Sequence, residues 1–161
     1  MTKCGLVALC IAGAIGIATP ATAADFQVKM LNKGTDGQIM VFEPPFLHIQ
    51  PGDTVRFIAA DKGHDAETIP GMLPEGAQPF KGKLSQDVSV TFQTPGLYGY
   101  RCIPHFGMGM VGLIEVGDNT SNLASARQVK MPPLPTKRMA TLFEQATQHA
   151  SAQPGLTPAA R

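Results

Sequence analysis

The segment Cys102-Ile103-Pro104-His105-Phe106-Gly107-Met108-Gly109-Met110 sets a thiol, an imidazole and a thioether at the spacing C-x2-H-x4-M, between two runs that read as strands. One turn could present all three to a single ion. A second imidazole, His64, follows Asp61-Lys62-Gly63, where a neighbouring strand would end at the same pole of a sandwich. A thiolate and a thioether stabilise Cu(I), imidazole accepts both oxidation states, and two histidines with one cysteine and a weak axial methionine form the blue-copper set. Zinc is the rival ion, but its structural sites favour fourfold Cys and His sets, and methionine is not among its usual ligands. The spacing therefore predicts one copper ion, Cu(I)/Cu(II), on His64, Cys102, His105 and Met110. Four filled positions leave no place to activate water or a substrate, so the expected role is an electron carrier and not an enzyme. No second metal cluster, nucleophile-base pair or carboxylate dyad is evident in the sequence.

Taken singly, these residues have plainer readings. A lone cysteine is commonly a small core residue, and Met108 or Met110 alone would be flexible packing. The combination and its spacing carry the metal assignment. His48, between Leu47 and Ile49 on an expected strand, and His149, at the end of an expected helix, are read as ordinary surface histidines and are not proposed as ligands.

Two strands must deliver the ligand turn, and the surrounding sequence has their rhythm. From Phe26 to about Val116, short runs rich in Val, Ile, Phe and Tyr alternate with Gly, Pro and Asp. Strands are expected at Phe26–Leu31, Gln38–Phe42, Phe46–Gln50, Thr54–Ala59, Ala66–Thr68, Asp87–Phe92, Gly96–Arg101 and Val111–Val116. Val88, Val90 and Phe92 alternate with Ser89 and Thr91, which gives one buried and one wet face. The class is all-β, a two-sheet sandwich. After Asp118 the composition shifts to Ala, Gln, Lys and Arg, and Met131-Pro132-Pro133-Leu134-Pro135 separates two expected helices, near residues 121–129 and 135–150. Met139, Leu142, Phe143 and Ala146 give the second helix an apolar face that docks on the sandwich. The expected division is a leader at 1–23, the sandwich at 24–118 and a helical extension at 119–161 with a frayed end.

The leader is read from Lys3, the apolar run Leu6 to Ala18 and the cleavage-type Ala21-Thr22-Ala23. The run is shorter than the roughly 20 residues of a spanning helix, so export without a membrane anchor is expected. Cleavage would remove Cys4 and Cys10 and leave Cys102 as a lone thiol, with no internal disulfide possible. It would also remove Lys3 and no acid, so the 13 basic and 12 acidic side chains of the full chain become equal in number. That balance does not suit nucleic-acid binding, which requires many phosphate-neutralising cations.

The phrases MLNKG, MVFEP, PGDTV, DKGH, PEGA, FKGK, PGLYGY, CIPHFGMGM and VGD resemble, in order, those of the pseudoazurin family of cupredoxins, over residues 24 to about 150. C-x2-H-x4-M alone is shared with plastocyanin; the flanking phrases and the two-helix tail select pseudoazurin. The resemblance implies an eight-stranded Greek-key cupredoxin sandwich with type 1 copper. It implies a periplasmic monomer that passes single electrons in transient complexes, to copper nitrite reductase or another denitrification reductase and from c-type cytochromes. It also implies an apolar cap in which His105 exposes one edge beside Pro104, Gly107 and Met108. The family surrounds this cap with lysines, and the matching positions are Lys33, Lys62, Lys81, Lys83 and Arg101. A periplasmic copper storage or delivery protein is the alternative; reversible redox cycling without loss of metal separates the two.

Three residues depart from the family pattern. Asp65 stands where Asn usually follows the first ligand histidine, Ile103 where Thr or Ala is common after the cysteine, and Lys29 where relatives often carry a surface histidine. Asp65 and Ile103 are expected to alter hydrogen bonding behind the ligands. Carboxylate charge near the site favours Cu(II), so a lowered reduction potential is expected. Lys29 changes surface charge only.

Overall fold

The computed structural model describes residues 22–152. Apart from residues 22 and 23, the expected leader lies outside the described residues, as does the end of the chain after Ala152. Eight strands form: β1 Asp25–Lys33, β2 Ile39–Glu43, β3 Phe46–Ile49, β4 Thr54–Ile58, β5 Glu67–Thr68, β6 Val88–Thr91, β7 Gly96–Arg101 and β8 Val111–Val116. They make two four-stranded sheets, ordered β2-β1-β4-β6 and β3-β8-β7-β5. The expected all-β sandwich is the observed class. Two pairings are parallel, β1 with β4 and β3 with β8; the others are antiparallel.

The core between the sheets comes from alternate residues. Val28 and Met30 point inward with Phe42, Val55, Phe57, Tyr98, Tyr100, Ile114 and Val116. Tyr100 meets Phe42 and Phe57 edge-on, with centroids 4.8 and 5.0 Å apart, an arrangement that aromatic quadrupoles favour. Its ring lies against Gly112, the residue opposite it on β8, where a Cβ would have no space. A glycine in mid-strand is explained by that close approach.

All six residues of β8 are buried, so the run shows no wet face. Ile114 and Val116 face the inter-sheet core, whereas Val111 and Leu113 face a second cluster with Met139, Leu142, Phe143 and Ala146 of the C-terminal helix. That helix, α2 Pro133–Ala152, begins in the proline run itself. Prolines fit a first turn, where the missing N–H has no intrahelical partner in any case. The earlier expected helix is only one turn, α1 Leu123–Ala126. No helix among the described residues is long and apolar enough to cross a membrane.

Candidate metal centre

The end of β7 and the start of β8 hold the ligand turn between them. Cys102 N donates to Met110 O at 3.1 Å, and Met110 N donates to His105 O at 3.2 Å, so the two ends and the middle of the turn are tied together. Phe106–Met108 forms a 3-10 turn that ends at Gly109, whose φ of 86° is costly for any residue with a Cβ. His64 lies in the loop before β5, which is tied to the segment before β6. There Ser85 N donates to His64 O at 2.7 Å, and Gly63 N donates to Ser85 Oγ at 2.8 Å.

These loops converge. His64 Nδ1 lies 3.7 Å from Cys102 Sγ, His105 Nδ1 lies 3.5 Å from the same sulfur, and the two Nδ1 atoms are 3.1 Å apart. Donors bound to one ion at about 2.0 Å for nitrogen and about 2.3 Å for sulfur stand roughly 3–4 Å from one another, so the triangle fits one first-row metal. His64, Cys102 and Met110 are fully buried, and Met110 belongs to the same core cluster as Cys102.

The protonation states are matched to a cation. His64 Nε2 lies 3.1 Å from Asn32 Oδ1, which can only accept, so Nε2 carries the proton and Nδ1 keeps its lone pair. Burial, and then the neighbouring His105, hold the His64 imidazole below its usual pKa and therefore neutral. Burial pushes the Cys102 thiol up to about 11, against the pull of the Asp65 and His105 backbone N–H groups. A thiol so reluctant to ionise alone becomes a thiolate when a cation takes the proton's place.

Asp65 and Ile103 are joined through the Ile103 backbone. Ile103 N donates to Asp65 Oδ1 at 2.7 Å, while the Ile103 side chain is 44% exposed and joins the outer surface. Pro104, Gly107 and Met108 are exposed around a half-buried His105. Lys33, Lys62 and Lys83 are also exposed. The other two basic residues share one acid that the sequence did not single out. Arg101 donates through Nε and Nη2 to Glu67 Oε1 at 3.0 and 2.7 Å, and Lys81 Nζ lies 3.7 Å from Glu67 Oε2. Arg101 also lies over the Phe106 ring, 4.9 Å from its centroid.

Asn32 and Arg138 were likewise missed. Arg138, on α2, donates through Nη1 to Gly109 O and Met40 O, each at 2.9 Å, and through Nη2 to Ile39 O at 3.2 Å. A helix far along the chain thereby clamps the carbonyl next to Met110. Both contacts join distant segments, and no local spacing marks them.

Residues 28–117 match the family described as copper binding proteins, plastocyanin/azurin family. The chain is 47% identical over 133 residues to a pseudoazurin of Paracoccus pantotrophus, covering 83% of this chain and 91% of that one. It is similar to the crystal structure of pseudoazurin from Methylobacterium extorquens AM1, with a TM-score of 0.72 and 45% identity, over 75% of this chain and 98% of that one. A native pseudoazurin of Hyphomicrobium denitrificans gives a TM-score of 0.72 at 40% identity, over 75% of this chain and 97% of that one. The chain belongs to the pseudoazurin family. As a pseudoazurin-family protein it is a blue-copper electron carrier, and its His, Cys and Met donors suit one copper ion. Asn32 orients His64, Glu67 holds Arg101 just before the ligand turn, and Arg138 clamps the turn itself, so this pseudoazurin-family chain braces its centre from three other segments.

Proposed function

We propose that His64 Nδ1, Cys102 Sγ and His105 Nδ1 would hold the copper together with the Met110 thioether, and that the chain carries single electrons between periplasmic proteins. A copper ion held there would supply the one-electron Cu(I)/Cu(II) couple. The observation that carries the assignment is the convergence of three donors within 3.7 Å of one another at the buried ends of two loops. The chain's residues do the rest. Asn32 and the Asp65–Ile103 bond hold the donors in one arrangement, and burial excludes water, so little rearrangement accompanies each transfer.

His105 is the exit, because it is the ligand only half-buried and it sits among exposed Ile103, Pro104, Gly107 and Met108. An apolar patch of this kind allows close, short-lived contact with a partner. Lys33, Lys62 and Lys83, with the partly neutralised Lys81 and Arg101, steer acidic partners to it. The family supports copper nitrite reductase or another periplasmic reductase as acceptor and c-type cytochromes as donors. Complete burial of His64 and Cys102 favours a carrier over a delivery protein, since handing over the ion would require the ligand turn to open.

Copper reconstitution of residues 24–161 tests the assignment. The wild type should give an intense thiolate-to-copper band and a type 1 electron paramagnetic spectrum, and should cycle between oxidation states without losing metal. Cys102→Ala should abolish the band. A colourless oxidised holoprotein would refute the proposal.

A further inference from the structure

The face of the second sheet that α2 covers carries another convergence of metal-binding side chains. His48 on β3 and Glu115 on β8 are register partners across a parallel pair, and both point toward α2. His149, one turn beyond Ala146 on the docked face of α2, stacks on His48 with ring centroids 3.9 Å apart. Asp118, just after β8, places Oδ1 3.2 Å from His48 Nε2, and Glu115 Oε2 lies 3.7 Å from His149 Nδ1. One donor atom each from His48, Asp118 and His149 falls within 4.8 Å of the others.

Hydrogen bonding does not account for this cluster. Glu115 is 0% exposed, yet neither carboxylate oxygen has a hydrogen-bond partner among the described residues. His48 Nε2 and His149 Nδ1 are equally unpartnered; their approaches to the carboxylates lack hydrogen-bond geometry. A buried carboxylate with empty lone pairs costs free energy unless a cation or donor satisfies it. Close, poorly aligned contacts between lone-pair donors are what atoms aimed at a common ion would make.

We propose that His48, Asp118 and His149 form a second divalent-cation site, of the zinc-binding class, beneath the C-terminal end of α2, with the buried Glu115 carboxylate beside His149 to balance its charge. Two imidazoles with carboxylate oxygens are a borderline donor set suited to Zn2+, and the set lacks the thiolate and thioether that stabilise Cu(I). Burial, and then His149, hold His48 below its usual pKa, which keeps its lone pair free. Burial, and then Asp118, raise Glu115 to about 7. Glu115 lies five residues along β8 from Met110, about 16 Å at the rise of an extended strand, so the two sites do not share ligands. An ion here would pin α2 to both β3 and β8.

The test is equilibrium dialysis of the copper-loaded protein against Zn2+ at pH 7.5, with elemental analysis and the visible spectrum recorded together. The expected result is one copper and one zinc per chain with the blue band unchanged. His149→Gln and His48→Gln should each weaken zinc binding at least tenfold while the blue band and the copper content stay as in wild type. In the wild type, zinc should shift the ring nitrogen resonances of His48 and His149. No zinc uptake, zinc uptake indifferent to both substitutions, displacement of copper, or unshifted rings would each overturn the proposal.

Discussion

At the residue scale, the centre depends on two polar side chains that are not themselves donors to the ion. Asn32 fixes which nitrogen of His64 carries the proton, and such an outer partner is worth about 10–100-fold in metal affinity. Asn32→Leu should therefore loosen copper by about that factor, measured by chelator competition, with the fold retained. Asp65 accepts from Ile103 N, a role that an Asn oxygen would also fill, so Asp65→Asn changes charge and leaves that bond in place. Removing a buried negative charge stabilises the reduced ion relative to the oxidised one. The potential should rise by roughly 60 mV, the one-electron equivalent of a tenfold bias. A redox titration showing an unchanged or lower value would defeat that reasoning. The ligand donors were legible because three lie within nine consecutive residues; Asn32 was not, because it lies 32 positions from the histidine it orients.

At the scale of elements, α2 does more than cover the sheet. Leu134 and Arg138 lie against Gly109, and the Arg138 guanidinium satisfies carbonyls on both β2 and the ligand turn. Arg138→Met keeps much of the aliphatic stem but strands those carbonyls, at about 2 kcal/mol for charge-assisted bonds. A lower urea midpoint together with a broadened type 1 spectrum should follow. A second tie joins β4 to the segment entering β6. Asp87 accepts from Ala59 N at 2.9 Å and Arg56 Nη2 at 2.7 Å, and these two bonds, in that order, hold its pKa below 3.8. A depressed carboxyl stabilises the fold above its unfolded pKa and ceases to do so as pH falls through the lower folded value. Wild type should melt above Asp87→Asn at pH 7, and the gap should close below about pH 3.8. Strand positions were legible from alternation wherever one face is wet. β8 departs from that pattern because α2 covers its second face, and α1 shrinks to one turn. The same cover hides the His48–His149 stack, although Glu115 between Ile114 and Val116 and His149 seven residues after Leu142 were its only local signs.

At the scale of the molecule, basic and acidic side chains are nearly balanced, 13 against 12, so steering depends on where charge lies and not on how much there is. Glu67 makes the expected basic ring uneven: it takes up the charge of Arg101 at 2.7 Å and part of that of Lys81 at 3.7 Å, and leaves Lys62, two residues before His64, unpaired among the described residues. Association with an acidic reductase should slow about tenfold between low and high ionic strength, the lower end of what steering contributes. Lys62→Glu should lower the association rate and flatten its salt dependence, because reversing an unpaired charge removes attraction and adds repulsion. Lys81→Gln should do less, since Glu67 remains paired with Arg101 and the lost lysine was already partly neutralised. Stopped-flow electron transfer across a salt series measures all three. Equal effects from Lys62 and Lys81 would show that Glu67 does not divide the ring, and indifference to salt in the wild type would leave apolar contact at Pro104 and Met108 as the whole of docking.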